Sequence, residues 1–448
     1  MTTRFARCRA EGKAARFARR RAEYARLVPL VAFTVLAMAP LAAQTPDARI
    51  REIVASPAFK QASAFIESDH ERFVRELIAL TEIPAPPFKE AARAKAFMSM
   101  LQQLGLADVE MDGEGNVMGL RRGAGGGAAG LLVVSAHLDT VFPEGTDVKV
   151  KRTGTRLAAP GVGDDTRGLA LLLALVRTLD AGRFRTDADI LFVGNVGEEG
   201  EGDLRGIKFL LQKGKYKDRI RQMLVIDGNE SNVITNGGVG SKRYRVTFKG
   251  PGGHSYGAFG LVNPAYAMAG AITRFSRIEV PASPKTTYGI GVVRGGTSVN
   301  SIPFEVSMDV DMRSESCAEL KKVDDQFLAL LREAVAEENA TRSTREGAIQ
   351  ADPKVIGERP CGETPRTSPI VQTAAAAITA FGLTPRYATS STDANIPMSL
   401  GIPAITIGRG GPGDRTHSLD EWTDVEPRAN LVNVQRALAL VLAVAVGR

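Results

Sequence analysis

LLVVSAHLDTV, residues 131–141, begins with an apolar run too short for most helices and bounded by polar residues, and it ends in a histidine and an aspartate. Such a run reads as a strand buried on both faces. Three more segments repeat the pattern: ADILFVGNV (188–196), MLVIDG (223–228) and PAITIG (403–408). Amphipathic stretches near 168–180, 204–213, 368–381 and 426–446 predict helices between or after them. Strands alternating with helices predict an α/β fold, with a largely parallel central sheet covered by helices. Sites in such sheets form where the strands end. His137, Glu198, Glu199 and Asp227 all fall at or just after a predicted strand end.

The middle of the chain follows a different order. RYRVTFKG (243–250), a helix over 263–278, TTYGIGVVRGG (286–296), EVSMDVDMRS (305–314), a helix over 316–338 and a short strand near 347–355 form a βαββαβ pattern. This predicts an inserted α+β lid or dimerisation domain over 241–355, dividing a catalytic domain into 47–240 and 356–448. GAGGGAAG (123–130) reads as a flexible turn, because it lacks the lysine and the spacing of a phosphate loop.

The 448 residues carry a formal charge of +7, with 44% hydrophobic and 24% charged residues. Residues 1–43 hold nine Arg and Lys against two Glu, which leaves 48 bases and 48 acids in the rest. A neutral remainder argues against nucleic acid as a partner. The basic signal belongs to a leader: an Arg-rich stretch through Arg26, an apolar run from Leu27 to Ala39, and small residues before Gln44. This layout predicts a signal peptide and a periplasmic or secreted protein, with no stable membrane insertion after cleavage; an uncleaved anchor is the alternative. Beyond the leader, Cys317 and Cys361 are equally open to pairing or to remaining free thiols.

Three of the four histidines lie in separate short motifs: His137 in AHLDTV, His254 in GPGGHSYGAFG and His417 in RTHSLDEW. Asp164-Asp165, Glu198-Glu199 and Asp227 lie between the first and the last. Imidazoles and carboxylates in this number suit a pair of divalent metals sharing one bridging carboxylate. Of two adjacent acids, one can coordinate while its neighbour stays free as a base. Asp139, two residues after His137, can orient the ring through its other nitrogen. His70, on a predicted N-terminal helix, reads as a surface residue, and Asp393 in the TDAN loop as a cap or turn.

AHLDTVFP, APGVGDD, NVGEEGEGDLRG, VIDG, GPGGHS, GGTSVNSIP, DMRS, SSTDANIP and THSLDEW, in that order, resemble the dinuclear-zinc exopeptidases and deacylases that include peptidase T, carnosinase, aminoacylase and carboxypeptidase G. The resemblance runs from about residue 70 to the C-terminus. It implies two zinc ions, with cobalt or manganese as substitutes: His137 and Asp227 on one, Glu199 and His417 on the other, and Asp164 between them. It further implies a cis bond after Asp164, Glu198 as general base, Asp139 as orienter of His137, and His254 acting on the scissile carbonyl, often from a partner subunit in a homodimer formed through the inserted domain. Arg313 resembles a substrate-carboxylate anchor and Asn300 a polar contact, although a solvent-facing strand position and a turn before Ile302-Pro303 account for them equally simply. Asp227 stands where deacylases and carboxypeptidases of the family usually carry Glu. This favours a short-peptide substrate, in a dipeptidase or aminopeptidase, over an N-acyl amino acid. A non-catalytic binding protein on the same fold is the remaining alternative.

Overall fold

The computed structural model describes residues 44–126 and 130–445. The leader (1–43) and part of the glycine-rich turn lie outside these residues.

Among the described residues, a nine-stranded sheet forms the centre of the larger lobe. Its middle is the parallel set Asp189–Asn195, Leu131–His137, Ile220–Ile226 and Ala404–Ile407, side by side in that order. Antiparallel neighbours flank this set: Val117–Arg121 beside Asp189–Asn195, and Val233–Gly238 beside Ala404–Ile407. The near-continuous apolar strands follow from burial on both faces. Leu132, Val134, Ala136, Ile190, Phe192, Leu224 and Ile226 point into one core, which the helices Pro57–Thr81, Thr166–Ala181, Pro369–Ala380 and Pro427–Ala445 cover. Leu131, Val133, Leu191, Val193, Met223 and Val225 point into the other, against the helix Arg205–Gln212. The period of two along each strand thus divides its side chains between two cores. No described helix is long and apolar enough to cross a membrane.

The inserted segment forms a four-stranded antiparallel sheet in the order Thr286–Gly295, Glu305–Ser314, Gly240–Lys249, Gln350–Arg359. The last strand is a full ten residues, longer than the short strand expected near 347–355. Val306, Met308, Val310 and Met312 face the helices Pro264–Phe275 and Cys317–Thr341, whereas Asp309, Asp311 and Arg313 face away. Cys317 and Cys361 form a disulfide, which decides between the two readings left open by the sequence. It packs where the chain enters the insert: a Cβ on Gly240 would lie 3.0 Å from the Cys361 nitrogen and 3.1 Å from its sulfur.

A second small sheet was not legible in the sequence. Gly413–Asp414, Trp422–Asp424, Arg156–Ala158 and Lys151–Thr153 pair antiparallel, and the loop between the first two carries His417.

Candidate metal site

Four neighbouring parallel strands deliver side chains to one edge of the sheet. His137 ends its strand, Asp227 follows Ile226 directly, Glu198 and Glu199 follow Asn195 after a short turn, and Arg409 follows Ile407. The loop carrying Asp164 reaches the same edge because Glu421 holds it from below. The Glu421 carboxylate accepts from the backbone N–H of Gly161, Gly163 and Asp164 at 2.8–2.9 Å. Gly163 is required there, since a Cβ would lie 2.8 Å from the Glu421 oxygen. The Asp164-Asp165 peptide is cis, as the resemblance implies.

The two oxygens of Asp164 face two different imidazoles. Oδ1 is 3.1 Å from His137 Nε2, and Oδ2 is 3.3 Å from His417 Nε2. His417 Nε2 is also 2.8 Å from Glu199 Oε1. Three groups of donors capable of holding a cation result: His137 with Asp164 and Asp227, Asp164 with Glu199 and His417, and His137 with Glu198 and Glu199; the donor atoms of each lie within 4.8 Å of one another, and the first two share Asp164. Nitrogen and carboxylate donors in this mixture suit zinc, cobalt or manganese. The residues therefore fit a pair of divalent ions with Asp164 between them.

His137 Nδ1 lies 3.0 Å from the Asp139 carbonyl oxygen, an acceptor that fixes the ring with Nε2 turned to the site. The Asp139 carboxylate, expected to play that part, stands farther away at 3.7 Å. It is occupied instead in accepting the N–H groups of Glu198 and Glu199, at 3.0 and 2.8 Å. Asp139 thus orients the imidazole through its backbone and the glutamate pair through its side chain.

Two buried arginines complete the site, and no motif had indicated them. Arg409 donates to Asp227 at 2.9 Å and to Asn229 at 2.8 Å, and it lies 3.4 Å from Asp164. Burial alone pushes the Asp164 carboxyl up, but Arg409 and the two histidines hold it well below the usual carboxylate range. Arg359 donates to Glu198 Oε1 at 3.1 Å and also to the Glu198 carbonyl. Burial nevertheless pushes the Glu198 carboxyl well above its ordinary value.

Arg313 lines the same cavity of about 560 Å³ as Asp164, Glu198, Glu199, Asp227 and His417. It shares the Asp311 carboxylate with Arg243, each donating from Nε at 2.8 Å. His254 and Asn300 do not line this cavity. They meet each other elsewhere on the insert, in an open concavity with Phe304, where Ser255 N–H donates to the Asn300 carbonyl at 2.9 Å. Asp393 lies in the turn before the helix Asn395–Ser399, as expected of a turn residue, but it is buried: it is 1% exposed, accepts from Asn195 at 2.7 Å, and burial raises its carboxyl to about 7. His70 is half-buried against Asn430 rather than on the surface, because its helix packs beneath the C-terminal one.

The model of the peptidase family M20/M25/M40 matches residues 133–442. Carboxypeptidase G2 from Pseudomonas sp. (strain RS-16) is 25% identical over 202 residues, 44% of this chain and 47% of that protein. The chain thus aligns with about half the length of this curated relative. Aminopeptidase PepT from Bacillus cereus ATCC 10987 has the same fold, with a TM-score of 0.66 and 21% identity over 84% of this chain and 99% of that one. So does the YXEP protein of Bacillus subtilis, described as a dinuclear metal-binding peptidase, with a TM-score of 0.62 and 16% identity over 85% and 99% of the two chains. A family match across more than half of the chain, on a fold whose strand ends carry groups able to hold a cation, two of them sharing Asp164, identifies this protein as a member of the peptidase family M20/M25/M40.

Proposed function

We propose that this protein is an exported, two-zinc exopeptidase that hydrolyses dipeptides or tripeptides. The observation that carries the reading is Asp164, whose two oxygens face two separate imidazoles, while Glu198 beside them is engaged by Arg359. Zinc bound between these ligands supplies Lewis acidity to the scissile carbonyl and the attacking water. Glu198 takes the proton from that water and returns it to the leaving amine. Its raised proton affinity in a buried pocket suits such a carrier. Arg313, at the cavity wall, anchors the substrate carboxylate through a planar pair of donors.

His254 is exposed on the insert and does not line the metal cavity of its own chain. We therefore assign the oxyanion contact to the partner subunit's His254, in a homodimer formed through the inserted domain. Asn300, which adjoins His254, travels with it as a polar contact. Asp227 in place of Glu favours substrates with a free amino group, and the Arg-rich leader with its apolar run supports export to the periplasm or medium.

Metal analysis of the purified protein, with chromatographic assay of free-amino dipeptides, tripeptides and N-acyl amino acids, tests the reading. Zinc near two per chain and turnover of free-amino peptides are expected. Turnover confined to N-acyl amino acids makes the protein a deacylase, and absence of both metal and turnover makes it a binding protein.

A further inference from the structure

The buried arginines among the described residues are Arg93, Arg167, Arg177, Arg359, Arg409 and Arg436. Five of them each meet a carboxylate or at least three acceptors, although the Nε of Arg167, Arg359 and Arg409 is left without one. Arg93 donates to the carbonyls of Thr81, Ile83 and Leu138, and Arg167 to Thr423, Asp424 and Asn430. Arg177 meets the carboxylates of Asp69 and Glu76, while Arg359 and Arg409 hold the acids of the metal site. Arg436 is 5% exposed and donates only to the Asn433 side-chain oxygen. Burial lowers its pKa to about 10, and no acid opposes the shift. Its other N–H groups are not among the buried unpartnered atoms and so remain open to a ligand, and an anion is the partner that best matches a largely buried guanidinium with one neutral acceptor.

Arg436 lines a groove of about 600 Å³ behind the metal site. Leu383, Pro412, Ala429 and Val432 give the groove apolar walls, and Arg428 adds a second cation. Glu230 and Glu426 also line it and repel ligands of high negative charge. Glu230 is paired with Arg386 at 2.9 Å, and Glu426 accepts the N–H groups of Arg428 and Ala429, so neither neutralises Arg436. We propose that this groove binds a small monocarboxylate with an apolar body, whose carboxylate pairs with Arg436. The site is separate from the catalytic cavity but joined to it: Asn433 accepts from Arg436 and donates to the Arg409 carbonyl at 2.6 Å, and Arg409 holds Asp227.

The test is calorimetric titration of the metal-loaded protein with 4-methylpentanoate, its neutral amide and leucine. Saturable binding of 4-methylpentanoate is expected, with no binding of the amide. Affinity should fall by about tenfold or more in Arg436→Met, the scale of a lost charge-assisted contact. Val432→Trp, which fills the groove and leaves Arg436 in place, should abolish the same binding and serves if Arg436→Met does not fold. Leucine binding with the same dependence on Arg436 identifies an amino acid as the ligand, and exclusion of leucine identifies a simple acid; both support the site. Failure of 4-methylpentanoate to saturate, equal binding of acid and amide, or binding unchanged in both variants overturns the proposal.

Discussion

Replacing Arg409 by methionine keeps much of the side-chain length and removes the one guanidinium that lies among the ligand acids. In the metal-free protein this group meets Asp227 at 2.9 Å and lies 3.4 and 3.7 Å from Asp164 and Asp165. Taking one partner from a buried ion pair costs about 3–5 kcal/mol, because the other charge stays desolvated. In a chain of this size each kcal/mol corresponds to roughly 1–2 °C, so the metal-free melting temperature should fall by roughly 3–10 °C. With metals bound, the same carboxylates face cations of higher charge, and the loss should be at most about half as large. Thermal melts of wild type and Arg409→Met, each with chelator and with saturating zinc, therefore carry a signed expectation: metal should raise the variant's melting temperature more than the wild type's. An equal rise in both proteins would refute charge compensation by Arg409 and leave it a packing role.

Glu198→Ala should lose at least about a hundredfold in turnover while retaining both metals, whereas Glu199→Ala and His417→Ala should lose metal first; metal analysis beside kinetics separates the two patterns. His254→Ala should lower turnover with metal content unchanged, and subunit exchange with Glu198→Ala should restore some activity, because one hybrid site then holds both wild-type groups; no recovery despite proven exchange means that the histidine does not act across an interface. Hydrogen bonds that His417 donates to the carboxylates of Asp164 and Glu199 raise its pKa to about 10 in the metal-free protein. His137 is also held well above 6.5, its surrounding acids outweighing burial. The His417 ring is then protonated at pH 7, His137 holds its proton more tightly than a free imidazole, and both must be neutral to bind, so zinc uptake should release protons and weaken as pH falls; titration enthalpies in buffers of different ionisation heat measure this, and no proton release refutes it. Protein recovered from the native periplasm or medium should begin near Gln44, and an intact Arg19–Arg26 stretch on exported protein would instead support a membrane anchor.

The sequence made the parallel core legible because strands buried on both faces leave uninterrupted apolar runs such as those ending in His137 and Ile226. It also made the metal candidates legible, since acids and histidines directly after such runs are conspicuous. Arg359 and Arg409 were missed for a physical reason: a buried cation beside acids leaves no local pattern, and its partners lie 161 and 182 residues away. One signal was present for Arg409, which follows PAITIG just as Asp227 follows MLVI. Glu421 was visible only as part of THSLDEW, and its task of holding the Asp164 loop needs contacts across more than 250 residues. The exchange of roles within Asp139 was equally hidden, because a sequence shows a side chain and not which of its oxygens, or its carbonyl, meets the ring.

The Cys317–Cys361 bond spans 44 residues, and closing a loop of that length removes about 4 kcal/mol of unfolded-chain entropy. Its position gives it a mechanical consequence as well. The chain crosses between the lobes at Gly240 on the way out and near Arg359 on the way back, and the bond ties the start of the helix Cys317–Thr341 to the same place. Three covalent connections gathered at one point define a pivot, so that any motion of the insert against the larger lobe would be a swing about it rather than a slide. Arg359 sits two residues from that pivot. An arm so short would sweep little distance in such a swing, so the grip of Arg359 on Glu198 would persist through a displacement that moved the far end of the insert, with His254, much farther.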